Sequence, residues 1–201
     1  MNRATRKAGR RARRQNNLIS YAIIAGVSLI VVIIVILMVQ SGAPPSAADT
    51  TTVGLMGTPF ANLSRDHIPT DQAPTGYNNP PAGGAHYPAT LPAKFYLESD
   101  VATLPPHPEG YLTHNLEHGY VIFWYDCDIT TVDCNTLQQT IQRVMNAVGT
   151  TKLIAFPWHH LTVPLAMSTW GQVMYFPTLD ENAMQQFVLH NRYQAPEPDA
   201  Q

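Results

Sequence analysis

Apolar positions follow different periods in different stretches of this chain. Leu18 to Val39 is almost wholly apolar, interrupted only by Ser20, Tyr21, Gly26 and Ser28. A helix of that length spans roughly 30 Å, enough for a bilayer core. Residues 61–113 show no period and many prolines, from Pro69 to Pro108. Proline removes a backbone donor and fixes φ, so this stretch predicts an irregular wrap, with one short strand near Lys94–Leu97.

Regular patterning starts at Gly119. Tyr120–Tyr125 is β-branched and aromatic throughout, which predicts a buried strand. Leu137, Ile141, Val144, Met145 and Val148 make one apolar stripe at helical spacing, so Cys134–Val148 predicts a helix. Asp133 is placed to cap it and Gly149 to end it. Lys152–Phe156, Leu161–Ser168 and Gln172–Phe176 predict three more strands, the last two joined by a turn at Thr169-Trp170-Gly171. Thr178-Leu-Asp-Glu181 has the capping-box pattern and opens a helix to Arg192, with Met184, Phe187 and Val188 inward.

The β-α-β-β-α order predicts an α+β domain, a small sheet with two helices and the proline-rich wrap. The expected organisation is a basic stub (1–17), a transmembrane helix (18–39), a tether (40–60), an outer domain (61–194) and a disordered tail (195–201).

Charge fixes the orientation. Seven of the twelve basic residues lie in the first 14 positions, and no acid precedes Asp49. By the positive-inside rule the stub is cytoplasmic and residues 40–201 lie outside a cell membrane, so the bilayer is a partner of residues 18–39. The rest of the chain then has five basic residues against fourteen acidic ones, a balance of −9. That field favours cations and argues against nucleic acid. A cleaved signal peptide would need an apolar core of about 7–15 residues, shorter than this one. The only cysteines, Cys127 and Cys134, fall outside, where an oxidising compartment predicts a disulfide. Its short loop implies about 2–3 kcal/mol of stabilisation.

The candidate chemistry lies between His67 and His118. Tyr77-Asn-Asn-Pro80-Pro81-Ala-Gly83-Gly84-Ala-His86 reads as a rigid turn presenting His86. His114-Asn-Leu-Glu117-His118 sets two imidazoles at i and i+4, on one face of a helical turn, where they can share an ion. The dense prolines upstream leave room for a single turn. H-x-x-E-H also marks inverted zinc peptidases, with Glu as general base; a third ligand would be needed, and Glu181 is the most conveniently placed acid. Of His159 and His160, one is expected to line the core and one to be exposed. Met167 is an additional candidate ligand, since exposed redox copper sites use methionine. Met174 reads as core filler, and His107 and His190 as surface residues.

Y-N-N-P-P-A-G-G-A-H, followed by H-N-L-E-H-G and an apolar strand, resembles the bacterial family catalogued as domain of unknown function 3105. So does Ser168-Thr-Trp170-Gly171. The resemblance covers roughly residues 62–192. Where that family's turn usually has serine, this chain has Gly83. Members have a basic stub, one span and a histidine-bearing outer domain, and no activity carries over. The resemblance implies that His67, His86, His114 and His118 form one cluster.

Three functions are consistent with these residues. The first is a membrane-anchored module binding copper or zinc through those four histidines, as a copper-handling protein or an accessory subunit of a membrane electron-transfer complex. The second is a metal-free structural or assembly subunit of a membrane complex. The third is a zinc-dependent hydrolase with Glu117 as base. A binding module is favoured over an enzyme.

Overall fold

The computed structural model describes residues 54–61 and 63–200. The expected stub, the expected transmembrane helix at 18–39 and most of the expected tether lie outside these residues. Among the described residues no helix is long and apolar enough to cross a membrane.

Five strands form one mixed sheet: β1 (Thr58–Pro59), β2 (Val121–Tyr125), β3 (Leu153–Pro157), β4 (Leu165–Thr169) and β5 (Gln172–Phe176), in the order β1-β5-β4-β2-β3. Only β2 and β3 run parallel. Parallel neighbours need a crossover, supplied here by a long helix, Cys134–Val148. In chain order the helices are α1 (Glu98–Val101), α2 (Pro108–Glu117), α3 (Cys134–Val148) and α4 (Glu181–Asn191).

The sheet is buried on both faces, which is why β2 reads as an unbroken apolar run. Val121, Phe123 and Tyr125 pack with Leu137, Ile141 and Val144 of α3 and with Met184, Phe187 and Val188 of α4. Ile122 and Trp124 point the other way, to Leu112 and Leu116 of α2 and to Leu91 and Tyr96 of the wrap. The outer edge of β3 is occupied too: Ala155 donates to the Lys94 carbonyl and accepts from Tyr96 N–H. This is the extended segment expected near Lys94–Leu97. Cys127 and Cys134 are disulfide-bonded, tying the end of β2 to the start of α3.

Several boundaries differ from the sequence reading. Regular structure begins before Gly119, because α2 runs ten residues. The prolines do not prevent it: Pro108 is the first helical residue, where the missing N–H costs nothing. Strand β4 starts at Leu165, not Leu161. Helix α4 is capped by Asp180, whose carboxylate accepts from Ala183 N–H, and not by Thr178. An ionised cap also complements the helix dipole, which a threonine hydroxyl does not. Residues 195–200, expected to be disordered, are held in place. Lys152 Nζ donates to the carbonyls of His118, Pro198 and Ala200 at 2.6–2.7 Å.

Asn115 fixes α2 to the wrap by bonding both backbone groups of Leu91, through Oδ1 to N–H (3.0 Å) and Nδ2 to C=O (2.9 Å). Gly110 lets the helix approach Tyr87. A Cβ there would lie 2.9 Å or less from three carbons of the buried Tyr87 ring. Gly110→Ala should therefore destabilise the fold by about 1–3 kcal/mol, despite a helix propensity gain of about 1 kcal/mol. Urea unfolding checks this, and a stabilised variant would show that helix and ring are not closely packed.

Candidate metal centre

Three separate segments bring imidazoles together. His67 and His86 come from two extended stretches joined as a parallel bridge, in which Ile68 N–H donates to the His86 carbonyl and His86 N–H to the Asp66 carbonyl. His114 comes from the last full turn of α2. The ring centres form a near-equilateral triangle: 5.0 Å from His67 to His86, 5.0 Å from His67 to His114 and 4.9 Å from His86 to His114. Glu117, one turn further along α2, completes the group. One donor atom from each of His67, His86, His114 and Glu117 lies within 4.8 Å of the other three. His86, His114 and Glu117 are buried, and His67 is exposed.

The loop expected to present His86 does so through its backbone. Gly83 and Gly84 both have positive φ, +134° and +127°, which side chains rarely adopt. The Gly84 carbonyl then sits 2.7 Å from His86 Nδ1. That contact makes Nδ1 a donor and turns Nε2 toward Glu117 and the other imidazoles. His86 Nε2 is 2.9 Å from Glu117 Oε2. The pair is close but misaligned, and this buried nitrogen has no hydrogen-bond partner of good geometry. Trp170, in the β4–β5 turn, stands edge-on to the ring at 6.0 Å.

His114 Nδ1 is likewise buried without a hydrogen-bond partner. Burial, followed by the nearby His118, His86 and His67, pushes the His114 pKa down to about 4, against an opposing hydrogen bond to the Tyr87 backbone. Since Nδ1 makes no such bond, Nε2 donates it. His114 is thus neutral at neutral pH, with a lone pair on Nδ1, the form that binds metals.

Glu117 is almost fully buried, yet it is ionised. Burial pushes its carboxyl up, but the hydrogen bond from Arg65 and the charges of His86 and Arg65 outweigh this, and the group is held below its ordinary value. Arg65 Nε lies 2.5 Å from Oε1. The other end of the guanidinium, Nη2, is 2.6 Å from Glu197 Oε1.

His118 stands outside the group of four. It is the residue after the last helical one; its N–H still donates to the His114 carbonyl at 3.1 Å, but its ring nitrogens do not converge with the other four donors. Its ring is 4.4 Å from that of His114, and its Nε2 is 3.7 Å from Glu197 Oε2. Met167 is fully buried in the core facing α3 and α4, paired with Phe123 and Met174, and is not in the group. Glu181 is bound to Arg143 at 2.7 Å, on the helix pair across the sheet. Sequence reasoning had Glu117 only as an alternative catalytic base. The signal for its place as a fourth donor lay in its offset of three from His114, as favourable on a helix as four.

A model of the family described as a protein of unknown function (DUF3105) matches residues 67–201. The chain belongs to this family. The matched region of the DUF3105 model begins at His67 and takes in every donor of the group. No curated protein and no solved structure matches the chain.

A second set of donors, Asp126, Asp128 and His159, lies at the far end of β2. His159 and His160 are both exposed, whereas one was expected to line the core, because Trp158 turns the chain out of β3. His159 Nδ1 is 3.1 Å from Asp128 and 3.7 Å from Asp126, and Nε2 is 3.2 Å from Glu98 of α1. Burial pulls its pKa down, but the Glu98 hydrogen bond and the charges of Glu98, Asp126 and Asp128 together raise it. A base with a raised pKa in the fold adds stability that is complete below its unfolded value near 6.5 and disappears as pH rises through the folded value. His159→Gln should therefore destabilise the domain at about pH 5 and not at about pH 9. The loss should stay under about 1 kcal/mol, because the ring is half exposed. Denaturant midpoints at the two pH values decide it, and equal losses at both would refute the ion pairing.

Proposed function

We propose that this chain is a membrane-anchored module that binds a divalent transition metal, zinc or cupric copper, through His67, His86, His114 and Glu117. The carrying observation is the triangle of imidazoles closed by a buried carboxylate, with two buried ring nitrogens lacking aligned hydrogen-bond partners. Buried polar atoms are rarely left so, and a lone pair that faces no donor is ready for an ion. Three nitrogens and one oxygen suit zinc and cupric ions. Sulfur, which favours cuprous ion, is missing from the group, with Met167 in the core and the cysteines in a disulfide. A tetrahedral zinc with ligands at about 2.1 Å holds its donors roughly 3.4 Å apart, so the group contracts on binding.

In this reading the domain stands outside a bacterial cell membrane, tethered by residues 18–39, and the acidic outer part draws cations to it. The histidine expected as a fourth ligand, His118, sits behind His114 instead. Nothing in the geometry favours the hydrolase: Arg65 and His86 flank both oxygens of Glu117, and a carboxyl with a lowered pKa is a weak base.

The full-length protein, stripped with chelator and dialysed against Zn²⁺ or Cu²⁺, should retain one ion per chain by mass spectrometry of the native state. His86→Ala with His114→Ala should abolish retention, whereas His118→Ala should keep the stoichiometry. Full metal content in the double variant, or none in the unmodified chain, would defeat the proposal.

A further inference from the structure

The C-terminal segment reaches the candidate centre. Glu197 touches it in three ways: its N–H donates to the Glu117 carbonyl at 3.0 Å, its Oε1 binds Arg65 Nη2, and its Oε2 faces His118 Nε2. Arg65 in turn holds Glu117 Oε1, leaving Oε2 toward His86. Beyond Glu197 the chain is fastened by Lys152, which binds Pro198, Ala200 and the carbonyl of His118 at the end of α2. The segment is thus tied to the helix end that carries Glu117.

Resting on the metal-binding reading above, we infer that Glu197 is a positioning residue of the metal centre, acting on the coordinating carboxylate through Arg65. The argument is one of charge and direction. A guanidinium fixes a carboxylate in a plane, so Arg65 decides which oxygen of Glu117 turns to the ion. A bare cation so near the site, however, repels a divalent ion. Glu197 offsets that charge and holds the guanidinium on its far side. With the three imidazoles neutral, as ligation requires, Glu117, Arg65 and Glu197 sum to one negative charge. A divalent ion then leaves a single positive charge, and without Glu197 it would leave two. Outer partners of metal ligands typically shift affinity 10- to 100-fold.

The test uses the full-length protein with Zn²⁺ alone, its dissociation constant read by competition with a chromogenic chelator, and with Cu²⁺ alone, read by its electron paramagnetic resonance spectrum. Glu197→Gln should weaken Zn²⁺ about tenfold and change the copper hyperfine splitting, with the melting temperature of the metal-free protein unaltered. Glu197→Asp, which keeps the charge, should recover most of the affinity. In an Arg65→Gln background, Glu197→Gln should cost much less than it does alone, as expected for residues coupled through Arg65. Unchanged affinity and spectrum in Glu197→Gln would overturn the inference, and so would an equal loss in the Arg65→Gln background. If the unmodified chain takes up no ion, the metal reading itself fails, a result distinct from both.

Discussion

A carboxylate at 2 % exposure cannot remain ionised without cations beside it. Glu117 sets this demand, and much of the surrounding structure answers it. Arg65 arrives from a loop 52 residues earlier in the chain. His86 arrives from a glycine turn, and the C-terminal segment closes on the Arg65 side. These segments have little else in common: each is irregular, and none belongs to the sheet. Their convergence on the end of α2 gives order to a part of the chain that would otherwise lack it.

The core was legible in the sequence because its pattern is local. The stripe from Leu137 to Val148 gives α3 to the residue, and the Tyr120–Tyr125 run gives β2 to within one. Helix α2 was hidden for a physical reason. It is buried all round, with Thr113, His114, Asn115 and Glu117 among its enclosed residues, so it has no polar face to reveal a helical period. Its prolines lie at or before the first turn, where they start a helix rather than stop one.

The site was legible in part. The residue types and the stiff loop pointed to His86 and His114, the family resemblance added His67, and those three meet. What could not be read was the exchange of His118 for Glu117. It depends on how the side chains turn at the end of α2, where Gly119 closes the helix. That glycine has φ +81°, and a side chain there would strike the backbone of Tyr193. The order of residues 195–200 was equally hidden, since Pro-Glu-Pro-Asp has a disordered composition and gains its structure from distant partners, among them Arg65, Glu117 and Lys152.

The way the two borders of the sheet are finished has a consequence for solubility. A bare border strand offers unpaired amides to any neighbouring molecule and invites fibril-like stacking. Here β3 has Lys94–Tyr96 laid along it, and the opposite border is β1, only two residues long, one of them Pro59, which has no amide hydrogen to give. The proline-rich wrap thus blocks lateral growth on one side, and a proline does so on the other. Among the described residues, crowded copies of this domain find only a short stretch of uncovered border, along Met174–Phe176.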